Sequence, residues 1–348
     1  MTKYSELTSK RQVMADLVPL STPFGIWIDP SNYCNFRCSF CPRNLDTFHD
    51  YAGKFMHMDF SLFEKIVSDI KQFQNRIKVI RLYYLGEPLL NPRFVDFLQL
   101  LMDASVTERI EITTNASMLS EEKSAAILSI AANHPDTQLF MRYSIYSVLP
   151  ERNKRITSNP VDVAQIRRNI EVFQSLRDKM HVNNVSTYAK MLDTFDESEN
   201  KTFFDFYQSI VDDIQLEEPM NWSGDDAVNL LEKEYGDRLP DNAFKTRVKE
   251  PCQYPFNSLA VNPDGSVVVC CVDWSRKTQV GNVAKTSLLE IWNGKQLRDL
   301  QLLHLAGRRC ENDACRNCLR LPVFQPGHEN DSLKGITPEE FLKRLGKD

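Results

Sequence analysis

Apolar residues recur along this chain in two alternating rhythms. After Asp59 the run F-S-L-F-E-K-I-V-S-D-I places apolar side chains at 60, 62, 63, 66, 67 and 70, the spacing of one helix face. The same rhythm predicts helices over Phe94–Ala104, Glu121–Ala132, Val161–Lys179 and Phe203–Val211. Between them lie short β-rich runs: Pro23–Asp29, Ile77–Tyr84, Arg109–Thr113, Leu139–Tyr146, Val182–Met191 and Asp213–Glu217. This alternation predicts parallel βα units, in an open doubly wound sheet or in a barrel. No G-x-G-x-x-G follows the first run, which weakens a dinucleotide-binding reading.

Beyond residue 220 the pattern changes. Asn221–Glu250 is charged and less periodic and reads as a linker. Ser258–Val261 and Ser266–Val269 are short strands joined by N-P-D-G, a hairpin signal. Ser287 is placed to cap one helix running L-L-E-I-W-N-G-K-Q-L-R-D-L-Q-L-L, and Thr337, with Glu340 three residues on, to cap a last short one. The expected units are a lead-in at 1–22, a barrel at 23–220, a linker at 221–250, a small hairpin-and-helix domain at 251–325 and a tail helix at 326–348.

The net charge of −5 offers no basic excess for nucleic acid, and local pairs such as Arg308-Arg309 read as solvated surface. No stretch reaches the roughly 20 apolar residues that span a bilayer. The polar N-terminus lacks the apolar core of a signal peptide, so a cytoplasmic protein is expected. Nine cysteines in a reducing compartment are then not a disulfide framework. They fall in two groups, three at 34–41 and six at 252–318, which points to two metal sites.

The first group, Cys34, Cys38 and Cys41 in N-Y-C-N-F-R-C-S-F-C-P-R, follows the first predicted strand, where a βα barrel carries its functional loops. Three soft thiolates suit zinc or an iron–sulfur cluster. Three ligands leave one position for a fourth ligand, such as His49 at a structural zinc, or for a small molecule at an open iron.

With Phe40 before its last cysteine, C-x3-C-x2-C resembles the signature of radical S-adenosylmethionine (SAM) enzymes. Leu85-Gly86-Glu87-Pro88 resembles the family's G-G-E-P motif with leucine for the first glycine, and Thr113-Thr114-Asn115 its T-N turn. The resemblance implies a partial (β/α)6 TIM-like barrel holding a [4Fe–4S] cluster on Cys34, Cys38 and Cys41. It also implies SAM bound near Phe40, Gly86, Glu87, Pro88, Asn115, Ser144 and Arg155. Cys252, Gly265-x4-Cys270, Gly281-Asn282-Val283, Leu289–Asn293 and Cys315-x2-Cys318 resemble the SPASM/Twitch extension of these enzymes. That implies an auxiliary [4Fe–4S] cluster on Cys252, Cys270, Cys315 and Cys318; a four-cysteine zinc ribbon is the alternative.

Cys271 and Cys310 are left for packing or for donating hydrogen to a substrate radical. The reaction implied is oxidation or epimerisation of a sugar or cyclitol, the spacing being close to the family's aminocyclitol dehydrogenases. The auxiliary cluster would accept an electron, and Arg142, Tyr143 or Lys190 would serve as base. Modification of a ribosomally made peptide is the second reading, and a zinc-stabilised binding protein without chemistry the third. A flavodoxin or ferredoxin is the implied reductant.

Overall fold

The computed structural model describes residues 12–221, 230–236, 250–316, 318 and 332–346. Six parallel strands, β1 (Gly25–Ile28), β2 (Val79–Arg81), β3 (Arg109–Thr114), β4 (Gln138–Ile145), β5 (Val185–Leu192) and β6 (Asp213–Glu217), lie side by side in chain order. Helices α1 (Phe60–Ile70), α2 (Phe94–Ala104), α3 (Glu121–Ala132), α4 (Pro150–Thr157), α5 (Val163–Lys179) and α6 (Glu197–Tyr207) connect them. Six strands joined by five helical crossovers form the expected partial barrel, with α2 and α3 at their predicted bounds. The helix expected over Phe203–Val211 starts earlier, at Glu197, because the Asp196 carboxylate accepts from the Ser198 and Glu199 amides. Helix α4 was not expected: its P-E-R-N-K-R-I-T run is strongly polar, with Ile156 its one large apolar residue.

Strand alternation divides the molecule into a helix-packed shell and a polar interior. On β4, Leu139, Met141, Tyr143 and Ile145 are buried against helices, while Phe140, Arg142 and Ser144 face the other way and are half-buried. The shell is one continuous core, in which Phe63 and Phe97 stack at 4.2 Å between α1 and α2.

The sheet does not end at β1. Strand β7 (Ser258–Val261) pairs with it in parallel, from Gly25↔Ser258 to Ile28↔Val261. The predicted hairpin then leads to β8 (Ser266–Val268), and β9 (Gln279–Asn282), which the sequence had not shown, completes nine strands. Gly265 makes the hairpin turn at φ +82°, a conformation that favours glycine. The single helix expected after Ser287 is two, α7 (Leu288–Trp292) and α8 (Lys295–Leu305), broken at Asn293-Gly294. Ser287 and Glu290 form a reciprocal capping box on α7. The Leu288 amide also donates to Asp69 of α1 at 3.1 Å, tying the C-terminal helices to the barrel. The expected terminal helix is α9 (Pro338–Arg344), capped by Thr337, with Phe341 against Phe256. Most of the expected linker lies outside the described residues, and so do 1–11 of the lead-in and 326–331 of the tail.

Candidate active site and second thiol group

The loop after β1 is held from three sides. At its start Asn32 accepts from the Met56 amide at 2.6 Å and donates to the Lys54 carbonyl at 3.0 Å. At its centre the Arg37 and Ser39 amides donate to the Thr157 and Ile156 carbonyls, at 2.7 and 2.9 Å. These are the C-terminal carbonyls of the unexpected helix α4, which need partners beyond the helix. Within the loop the Cys41 amide donates to the Cys38 carbonyl at 2.8 Å.

The loop containing Gly86 closes the third side. A Cβ at Gly86 would lie 2.0 Å from the Ser31 carbonyl and 2.4 Å from that of Tyr33, so only glycine allows this approach. The Glu87 amide donates to the Tyr33 carbonyl at 2.8 Å. Glu87 is buried and its carboxylate accepts from Thr114 Oγ1 at 2.7 Å, the Asn115 amide at 2.8 Å and the Leu89 amide at 3.1 Å. Asn115 in turn donates to Asn35 Oδ1 at 3.0 Å. Cysteine loop, Gly86 loop and the end of β3 are therefore one hydrogen-bonded unit. Leu85, standing where the family motif has glycine, packs with Phe48, Ala52 and Trp274. Pro88 is buried at the start of the turn Pro88–Leu90.

Burial dominates the electrostatics. It pushes the Glu87 carboxyl up to about 7 despite its three donors. It does the same to Asp29, below the loop, despite the backbone amides of Leu85, Ser31 and Gly86. Burial and then the Glu87 charge push the Cys34 thiol up to about 12, and burial together with its two neighbouring thiols raises Cys38. Arg43 opposes the rise at all three cysteines. Tyr146, which sequence reasoning missed, donates its hydroxyl to Cys38 and stacks on Phe40 at 6.1 Å. Its signal was its place one residue beyond β4.

The donor set fits a metal centre, since a bound cation displaces the proton that burial holds on each thiol and leaves a thiolate ligand. Among the described residues no three His, Cys, Asp or Glu side chains are grouped as ligands of one ion are. Thiolates around a four-iron cluster bind separate irons and stand farther apart, so this spacing does not count against a cluster. His49 meets the Gly53 carbonyl at 3.1 Å and packs edge-on against Phe55.

Ser144 lies on the interior face of β4 in register with Lys190. Arg155 is 58% exposed at its side chain and pairs with Glu234 at 3.1 Å. Glu234 also pairs with buried Arg152, which binds Glu199 as well. Arg142 and Lys190 come together on the interior wall, both on Glu217, at 3.4 and 2.7 Å. Arg142 also donates to the Tyr83 hydroxyl at 3.1 Å. Tyr143, the third candidate base, is on the opposite face of β4, fully buried against Phe173. Deeper in the barrel Arg81 lies over Trp27 and pairs with Glu111 at 2.8 Å.

The second thiol group gathers around the segment before β7. Cys252 is buried and donates its amide to His304 Nδ1 at 3.2 Å. The charges of Cys318 and Cys271 act on Cys252, and those of Cys252 and Cys318 on Cys270 and Cys315. Cys270 and Cys271 are in hydrogen-bond contact, and burial adds to this in raising the Cys270 thiol. Cys271 packs with Trp27, Tyr83, Tyr84 and Tyr254 on the barrel side. Cys310 sits in the turn Arg309–Glu311, where its carbonyl accepts from Arg316 at 2.9 Å. Reading Arg308-Arg309 as surface holds for one residue only. Arg308 pairs with Glu311 in solvent, whereas Arg309 is 1% exposed beside the thiols, because the turn directs neighbouring side chains oppositely.

Comparison with known proteins agrees with this geometry. The radical SAM superfamily model matches residues 28–199, and the SPASM iron–sulfur cluster-binding domain matches 252–319. A curated relative is the S-adenosyl-L-methionine-dependent 2-deoxy-scyllo-inosamine dehydrogenase of Niallia circulans. It is 24% identical over 98 residues, 28% of this chain and 39% of that protein. The matched stretches span only 39% and 25% of the lengths of two curated relatives. Among solved structures, BtrN in complex with AdoMet and 2-DOIA aligns over 87% of this chain and 95% of its own, at 17% identity and a TM-score of 0.54. SuiB of Streptococcus suis, bound to precursor peptide SuiA, covers 86% of this chain and 71% of its own, at 14% identity and a TM-score of 0.50. At such identities the likeness is one of fold. The chain therefore carries a radical SAM domain and a SPASM domain, and its cofactors are accordingly SAM, the [4Fe–4S] cluster that binds it, and auxiliary iron–sulfur.

Proposed function

We propose that this radical SAM enzyme oxidises a hydroxylated small molecule, a sugar or cyclitol, at a carbinol carbon. The observation that carries the reading is the polar interior wall, where Tyr83, Arg142, Tyr188, Lys190, Gln215 and Glu217 are joined by hydrogen bonds across the sheet. Such a surface matches a ligand dense in hydroxyl groups, and the likeness to an aminocyclitol dehydrogenase supports the same class. The bound cofactors supply one-electron chemistry, a hydrogen-abstracting 5′-deoxyadenosyl radical and an acceptor for the electron left on the substrate.

The chain's own contribution is positioning and proton transfer. Cys34, Cys38 and Cys41 would hold the first cluster, and Cys252, Cys270, Cys315 and Cys318 the second. The backbone of Gly86–Pro88 and the side chains of Asn115 and Ser144 would hold SAM, with Phe40 and Tyr146 excluding water. Arg155, engaged with Glu234, would have to leave that pair to reach it. For the base we favour Glu217 over Arg142 and Lys190. A paired guanidinium and ammonium are already protonated, whereas the carboxylate between them has lone pairs to accept the hydroxyl proton. Arg142 and Lys190 then orient substrate oxygens. A flavodoxin or ferredoxin would deliver electrons.

The test is anaerobic turnover with SAM and reductant on polyols deuterated at the carbinol carbon, alongside peptides. We expect deuterium in 5′-deoxyadenosine and a carbonyl product, with Glu217→Gln at least about 100-fold slower in product formation. A product of unchanged oxidation level whose carbinol deuterium has been replaced by solvent hydrogen would mean epimerisation, with Cys271, on the barrel side, as hydrogen donor. Transfer from peptides alone would overturn the polyol reading in favour of the SuiB-like alternative.

A further inference from the structure

Arg309 has the largest fully buried side chain among the described residues, and it is a cation. It stands in the turn Arg309–Glu311, which leads into the short helix carrying Cys315. Its guanidinium reaches the Cys318 carbonyl at 3.4 Å. The same charge opposes the rise of the Cys252 and Cys315 thiols and disfavours a proton on His304. His304 is itself fully buried and fixed on the Cys252 amide, so Arg309, His304 and the thiols form one dry cluster. Burying that charge is costly, and the carbonyl of Cys318, a candidate ligand, is one of the groups that meet it.

We propose that Arg309 sets the reduction potential of the auxiliary iron–sulfur cluster, its buried positive charge stabilising the reduced form. The physics is direct. Four thiolates and a four-iron core carry net negative charge, and reduction adds one more. A fixed cation in low dielectric beside the ligands favours that added electron, so the cluster becomes a better oxidant. In the proposed reaction the second electron has to leave a substrate radical, and Arg309 would make the auxiliary cluster its acceptor. The inference rests on Cys252, Cys270, Cys315 and Cys318 being the ligands.

The experiment is an EPR-monitored redox titration of the anaerobic holoenzyme, with iron counted in each variant. Arg309→Gln is expected to keep its iron and to move only the auxiliary couple to more negative potential. The radical-site couple should stay in place. Arg309→Lys retains the charge and should stay near wild type, and Arg308→Gln, at the exposed neighbour, should shift nothing. An unmoved auxiliary couple in Arg309→Gln, an equal shift in Arg309→Lys, or loss of the auxiliary iron overturns the proposal. Iron of only one cluster in the wild type would instead overturn the ligand reading beneath it.

Discussion

At the scale of the residue, burial rather than charge pairing governs this site. Asp29 is an acid held up to about 7 below the cysteine loop. The folded chain keeps the Asp29 proton to about 7, whereas the unfolded chain loses it near 3.8. Folding is therefore opposed by ionisation as pH rises through that window, and the penalty is complete above it. Asp29→Asn keeps an acceptor for the Leu85 amide and removes the ionisation. It should raise the unfolding temperature at pH 8 and progressively less toward pH 5. The gain at pH 8 has an upper bound on the order of 4 kcal/mol. Thermal unfolding across that range checks it, and a pH-independent difference would contradict it. The sequence announced the ligand-type residues, because metal chemistry restricts them to a few side chains at short spacing. It could not announce Arg309, which differs from Arg308 only in the direction its turn sends it. Tyr146 was hidden for a different reason, as aromatic residues are ordinary in cores.

At the scale of the element, runs of strong helix formers were legible to the residue, as α2 and α3 show. Helix α4 was not, because its stability comes from where its C-terminal carbonyls go, and those partners lie more than a hundred residues back. The break at Gly294 was missed because the apolar rhythm runs on through it. Contacts between elements distant in sequence carry testable weight. Asp69 accepts from the first amide of α7 at 3.1 Å and from Lys65 at 2.8 Å. Asp69→Ala should destabilise the protein by about 1–2 kcal/mol, most of it from the orphaned Leu288 amide. Denaturant unfolding of Asp69→Ala against Asp69→Asn, which keeps an acceptor, separates that loss from the surface ion pair.

At the scale of the molecule, two cysteine groups separated by more than two hundred residues serve one sheet. Iron counting tests their independence. Wild type should hold about eight irons and the Cys34→Ala/Cys38→Ala/Cys41→Ala variant about four, one four-iron cluster for each group. The triple variant should release no 5′-deoxyadenosine from SAM. Equal loss from both groups would show that they assemble as one. The described helices include none long and apolar enough to cross a membrane.

Strand β1 has β2 on one side and β7 on the other. The strand leading into the first cysteine loop thus depends on a partner supplied by the C-terminal segment. Recombination is constrained by this: a SPASM region exchanged with that of another family member must bring a β7 whose side chains match Ile26, Trp27 and Ile28 in register. A chimera joined by sequence length alone would leave β1 with a bare edge. The two halves of this protein are modules by composition but not by inheritance.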